Sequence, residues 1–233
     1  MATRPASHSL HAPEVFGTKA MRRIVRALPP VESAYARIRF TIMRSKLLSV
    51  MDLLLPAEGR ILDVGCGFGL FAAYFAQTQP GRRITGIDTN EKRIAMARRL
   101  MASLGQDGHE FFARDAREVQ RVAGGTFNAI YVLDVMHHVP REDQEALLVC
   151  LHDLLAPGGV LVLKDITTQP AFGLKFTELL DRVMVGWNEP LAYRHHSEWG
   201  AILSRIGLRS RAVRVPDILP YPHVVIAAWK PPA

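Results

Sequence analysis

A chain of 233 residues, 48% hydrophobic and 22% charged, holds one substantial core and is short for two. No apolar run is long enough to span a bilayer, and Met1 to Pro13 lack the apolar core of a signal peptide, so a cytoplasmic location is the expectation. Two cysteines, Cys66 and Cys150, exclude a disulfide framework and offer no metal-ligand spacing, so reduced thiols and no metal are expected. The net charge of +7 is uneven: Arg4, Lys19, Arg22, Arg23, Arg26, Arg37, Arg39, Arg44 and Lys46 face only Glu14 and Glu32 in the first fifty residues. A second basic group, Arg205, Arg209, Arg211 and Arg214, lies near the C-terminus. Such a field suits an anionic partner, whether a membrane surface, an acidic carrier protein, a charged substrate or nucleic acid; a solvated basic face is the equal alternative.

Along the chain, residues 1–30 read as irregular, punctuated by Pro5, Pro13, Pro29 and Pro30. From Glu32 to Leu55, Tyr35, Ile38, Ile42, Leu47 and Val50 recur at largely helical intervals until Pro56 stops them. This helix precedes the first strand, so residues 1–57 are set apart as an extension with a lid or docking role, and 58–233 as the main domain. Strand and helix then alternate: strand 61–64, helix 69–78, strand 83–87, and a helix from Asn90 to Leu104 with Asn90 as its cap. A short strand from Glu110 to Ala113, strand 127–133, a helix from Arg141 to Leu155 closed by Pro157-Gly158-Gly159, and strand 160–166 follow. Hydrophobicity that is continuous through a strand, as in Val160 to Leu163, indicates a parallel sheet covered on both faces. The tail carries a helical region from Phe172 to Val185, a helix from Ser197 to Ile206, and two strands, 208–215 and 223–229.

The segment Ile61 to Phe71 carries the most chemistry. Ile61, Leu62 and Val64 form a buried strand that runs into Gly65, Gly67 and Gly69, a turn without side chains aimed at a helix N-terminus. The next strand ends at Asp88, roughly twenty residues beyond the last glycine, where an acid meets a ribose hydroxyl in nucleotide-binding units. The spacing lacks the extra residue of the dinucleotide fingerprint, and Asp63 stands just before the first glycine. Asp63-x-Gly65-x-Gly67-x-Gly69 resembles the first motif of the class I S-adenosylmethionine-dependent methyltransferases. A turn that only packs strand on helix is the alternative.

The resemblance covers roughly Glu58 to Lys230 and implies an α/β, Rossmann-like sheet of seven strands in the order 3-2-1-4-5-7-6. Such a sheet is mostly parallel, with an antiparallel C-terminal hairpin and helices on both faces. It implies S-adenosyl-L-methionine as cofactor, with Gly65, Cys66, Gly67 and Gly69 under its methionine part and Asp63 orienting that turn. Asp88, with Thr89 beside it, would accept from the ribose hydroxyls. Asp115 and the Ala116 backbone would meet the adenine, unless Asp115 pairs with Arg114 or Arg117. Asp134 would line the cofactor through its backbone. In Leu133-Asp134-Val135-Met136-His137-His138-Val139-Pro140, His137 faces the substrate and His138 packs or caps at the pocket edge. Lys164 and Asp165, ending strand 160–166, are both placed on the substrate side, with Asp165 as a proton acceptor or an aid to His137, or else as a charge feature without a chemical role. Tyr193 and His195 are candidates for shaping the substrate pocket.

Methyl transfer needs a base only when the nucleophile must lose a proton. His137 and Asp165 therefore suit O-methylation of an aromatic or lipid-like acceptor, free or carrier-bound, and a carbon acceptor of quinone type stays open. Nucleic acid is not expected as partner, because Asp134-Val135-Met136-His137 lacks the Pro-Pro-aromatic motif of base-amino methyltransferases. A cofactor-binding scaffold without turnover also stays open, as does the oligomeric state.

Overall fold

Strands that are apolar on both faces need cover on both faces, and the chain supplies it in three layers. The computed structural model describes residues 12–185, 191–215 and 222–233. Helices α1 (Ala12–Ala27) and α2 (Pro30–Leu54) precede the alternation β1 (Glu58–Val64), α3 (Leu70–Thr78), β2 (Gly81–Asp88), α4 (Glu91–Ser103), β3 (Glu110–Ala113). There follow α5 (Val119–Ala123), β4 (Phe127–Leu133), α6 (Gln144–Leu154), β5 (Leu155–Ile166), α7 (Ala171–Val185), α8 (His196–Arg205), β6 (Arg209–Arg214) and β7 (His223–Trp229). The sheet order is β3-β2-β1-β4-β5-β7-β6, and β7 runs antiparallel between β5 and β6. This is the Rossmann-like sheet with its C-terminal hairpin that the motif implies.

Alternation along each strand divides the core. Ile61, Tyr131, Val160 and Val162 pack toward α1, α2, α3 and α4, whereas Leu62, Ile130, Leu161 and Leu163 pack toward α6 and α8. The reversal of strand order between β1 and β4 opens a crevice at the C-terminal strand ends, where ligands bind in open α/β sheets.

Within the stretch expected to be irregular, Ala12–Ala27 is a helix. Pro13 falls in its first turn, where the missing N–H costs nothing, and Pro30 is the first residue of α2. Ala20, Ile24 and Leu28 are buried at intervals of one helical turn, while Lys19, Arg22, Arg23 and Arg26 are exposed. Gly17 lets α1 approach α3: a Cβ there would stand 2.5 Å from the Tyr74 hydroxyl. Arg4 of the basic group lies outside the described residues. Helix α2 breaks at Arg44 (φ 45°, ψ 155°) and is fastened to the sheet at its end. Arg82 of β2, fully buried, donates to Asp52 Oδ1 (2.5 Å), the Asp52 carbonyl (3.0 Å) and the Pro56 carbonyl (2.7 Å).

Candidate active site

The glycine turn after β1 floors a cleft of about 1320 Å³ at the crevice. Gly65 (φ 72°) has no room for a side chain, since a Cβ would sit 2.4 Å from Val135 Cγ2. Gly67 (φ 55°) is different: nothing lies within 4 Å of a Cβ, so its backbone faces open space. The neighbouring strand holds the turn, with Gly65 N donating to the Ile87 carbonyl (2.8 Å) and Gly67 N to Asp88 Oδ2 (3.0 Å). Asp88 Oδ1 accepts from Asn90 N (2.9 Å), and Asn90 caps α4 by accepting from Arg93 N (3.1 Å). Both Asp88 oxygens keep lone pairs for a further donor.

Beneath the turn, Asp63 is 3% exposed, and its Oδ2 has no hydrogen-bond partner among the described residues. Burial pushes its carboxyl up to about 7; the Tyr131 hydroxyl pulls against this and the Asp88 charge adds to it. A buried carboxyl on the cleft wall is a place for a cationic group. Burial, then Asp63 and Asp88, push the Cys66 thiol up, so it remains protonated. At the far end, Asp115 lines the cleft but is gripped by Arg117, whose Nε (2.9 Å) and Nη2 (2.8 Å) both donate to it. The pairing with Arg117 that the sequence leaves open is thus formed, and it holds the Asp115 carboxyl below its usual range. Thr89 and Ala116 also line the cleft; Gly69 instead precedes α3 as its N-cap.

The opposite end is built around Asp134, held at φ 51° just past β4. Its Oδ1 accepts from Lys164 Nζ and its Oδ2 from Arg39 Nη2 (2.8 Å). Burial alone would raise the Asp134 carboxyl, but Lys164 and Arg39 overcome that and hold it well below the usual range. Burial, then the Lys164 ammonium, push His223 at the start of β7 down to about 3, so that ring stays neutral.

A short 3-10 turn, Met136–His138, carries the two histidines. His137 Nδ1 lies 2.5 Å from Asp165 Oδ1, both side chains are buried, and Asp165 Oδ1 also accepts from Ile166 N (2.8 Å). His137 and His138 both line the cleft. The Tyr193 ring stacks on His137 with centroids 5.0 Å apart and planes at 20°.

Lys164, Asp165, Tyr193 and His195 are all placed differently from the expectation, and Tyr193 backs the His137 ring rather than lining the cleft. Lys164 and Asp165 do not share a side: neighbours on a strand point to opposite faces, so Lys164 meets Asp134 on the α2 face and Asp165 meets His137 on the α6 face. Both lie behind the cleft lining rather than in it. His195 is spent as the N-cap of α8, accepting from Ser197 N while its own N–H donates to Glu198 Oε1 (3.1 Å), and it does not line the cleft.

Arg39 is expected on a basic docking surface with Arg37 and Arg44. The structure leaves those two exposed but turns Arg39 into the cleft, with its guanidinium 5.6 Å from the Phe71 ring centroid. Its only sequence signal is a position one helical turn after Tyr35, another lining residue.

The chain belongs to the methyltransferase-domain family, whose model matches residues 35–211, within the class I S-adenosylmethionine-dependent methyltransferases. It is 30% identical over 181 residues to a ubiquinone biosynthesis O-methyltransferase of Xanthomonas oryzae pv. oryzae, covering 72% of this chain and 67% of that protein. The Xanthomonas axonopodis pv. citri protein of the same name is 31% identical over 116 residues, 50% of this chain and 46% of its own length. The chain thus spans about half the length of several relatives it matches. Among solved structures, an O-methyltransferase family protein from Burkholderia thailandensis superposes with TM-score 0.68 at 15% identity, covering 89% of this chain and 62% of that one. The methyltransferase SibL in its apo form gives 0.69 at 18% identity, covering 95% and 70%. At such identities these neighbours establish the fold alone.

Proposed function

We propose that the protein methylates an oxygen atom of a small aromatic or lipid-like acceptor, with His137 as general base. The observation that carries this reading is the buried Asp165 paired behind His137, which lines the same cleft as the glycine turn. The residues present fit S-adenosylmethionine. The open backbone at Gly67 leaves space for its methionine part, the buried Asp63 oxygen suits its ammonium, and Asp88 has lone pairs for the ribose hydroxyls. Asp115 and Ala116 line the end left for the adenine. When bound, the cofactor supplies an electrophilic methyl group on a sulfonium sulfur.

The chain's own residues would do the rest. His137 Nδ1–H donates to Asp165, which fixes the tautomer that leaves Nε2 as a base; Nε2 takes the acceptor's hydroxyl proton, and Asp165 balances the resulting charge. Arg39 places a positive charge on the cleft wall, which favours an oxygen losing its proton. Residues 1–57 act as a lid in this reading, because α2 contributes Val31, Tyr35 and Arg39 to the lining. Val31 (77% exposed), in that lining, and Ile38 (52% exposed), outside it, are apolar side chains turned to solvent on α2, which supports a lipid-like acceptor, as do the relatives' names. The free thiols of Cys66 and Cys150 suit a reducing, cytoplasmic setting.

Calorimetric titration with S-adenosylmethionine and S-adenosylhomocysteine tests the foundation. Micromolar binding is expected, weakened at least about tenfold in Asp88→Ala, which removes a charge-assisted acceptor. With phenolic and quinol acceptors, His137→Gln should then lower kcat by about 10²–10⁴ without altering cofactor affinity. Full turnover in that variant would remove the base, and absence of cofactor binding would remove the whole reading.

A further inference from the structure

Resting on the reading of His137 as the base, we infer that Gln144 is a positioning residue for that histidine, with Arg194 completing the device. Gln144, the first residue of α6, is fully buried. Its Nε2 donates to the Met136 (3.0 Å), Val139 (3.1 Å) and Ala192 (2.9 Å) carbonyls. The first two belong to the turn that carries His137, and the third to the segment that carries Tyr193. Two N–H bonds serve three acceptors, so one hydrogen is shared and the amide has no donor left over. The amide oxygen accepts from Arg194 Nε.

Arg194 is held in turn. Its Nη2 donates to the Arg141 carbonyl (2.8 Å), its Nη1 lies 3.3 Å from Glu198, and its guanidinium lies 5.5 Å from the Trp199 ring centroid. One side chain therefore welds the residue 136–139 turn to the residue 192–194 segment, and α8 backs the weld.

His137 sits between the welded parts. Its carbonyl accepts from Ala192 N (2.7 Å), its ring stacks on Tyr193, and its Nδ1 meets Asp165. Replacing Gln144 by leucine keeps the volume but removes the side-chain donor from the Val139 and Ala192 carbonyls and leaves the Met136 carbonyl with the Val139 N–H (3.1 Å) alone. The segment is then tied to the turn through the Ala192 N–His137 carbonyl bond (2.7 Å) without the buried amide, and Tyr193 holds the ring less firmly in line with Asp165. Buried amides that fix a functional ring in this way act through geometry, not through contact with substrate.

Histidine-ring ¹⁵N resonances of the full chain with S-adenosylhomocysteine test this without needing the acceptor, and His137→Gln identifies the His137 signal. The groups facing that ring are Asp165, Asp134, His138 and Tyr193, with Lys164 and Arg39 beyond Asp134; all are retained in the variants. In Gln144→Leu, exchange of the Nδ1 proton should quicken at least about tenfold, and the ring's titration midpoint should move by about 0.5 pH or more. Arg194→Met, on the less buried rim, should fold and give the same changes in smaller measure. Unchanged His137 signals in both variants, with only a lower melting temperature, would overturn the inference. Because the readout is the ring itself, it stands apart from turnover: an active His137→Gln enzyme would remove the base and leave the positioning result intact.

Discussion

The Asp63 carboxyl lies in the sheet between Gly86 of β2 and Tyr131 of β4, and burial pushes it up to about 7. In the unfolded chain the same group titrates near 3.8. Between those values the folded protein binds the extra proton, so stability falls as pH rises through the window, by about 4 kcal/mol once it is crossed. Urea denaturation of the ligand-free protein at pH 5 and pH 8 should show about 3 kcal/mol of this loss relative to Asp63→Asn, which carries no titrating group there. A cationic ligand group facing Asp63 reverses the preference, because it stabilises the ionised form. Cofactor binding near pH 7 should therefore release a proton, seen as a buffer-dependent heat in the wild type and absent in Asp63→Asn. An identical pH dependence of stability in the two proteins would mean that Asp63 ionises freely in the folded state.

At the scale of elements, the strands were legible because β1, β4 and β5 are apolar at consecutive positions, a pattern few other environments demand. The capped helix α4 was legible through Asn90, and the glycine turn through residues whose φ values leave little choice of side chain. Helix α1 was hidden because four prolines outweighed the spacing of Ala20, Ile24 and Leu28, although two of those prolines stand where helices begin. The pairings that build the Asp134–His137 end of the cleft were hidden for a different reason. Arg39 meets Asp134 across 95 residues and Gln144 reaches Ala192 across 48, and no local period encodes such contacts. The common side expected for Lys164 and Asp165 overlooked a rule that was available, since strand neighbours alternate. Because α1 packs into the same core as α2, α3 and α4, truncating it should weaken the whole molecule. Ile24→Ala should cost about 2–4 kcal/mol in a single cooperative transition. A separate early transition for the N-terminal helices would instead mark residues 1–57 as an independent unit.

For the whole molecule, the site draws on both faces of the sheet. The α2 face supplies Arg39, Asp134 and Lys164, and the α6 face supplies His137 and Asp165, so the crevice joins two half-sites that the sheet itself keeps apart. Exposed positive charge also collects on α1 and α2. Arg22, Arg23, Arg26 and Arg37 are exposed, Val31 and Ile38 stand among them in sequence, and the net charge is +7. A basic surface with projecting apolar side chains fits an anionic bilayer better than a neutral one, since the charges attract and the side chains insert. Sedimentation with phosphatidylglycerol vesicles at about 50 mM salt should therefore retain the protein, and about 500 mM should release it as the screening length shrinks. Replacing Arg22, Arg23 and Arg26 with serine should weaken retention by about a hundredfold, the sum expected for three basic residues at a charged surface. Cofactor affinity should be unchanged, because none of the three lines the cleft. Equal retention by neutral vesicles would assign the attraction to Val31 and Ile38 alone. No retention at low salt would leave this face as solvated surface, with the acceptor arriving from solution.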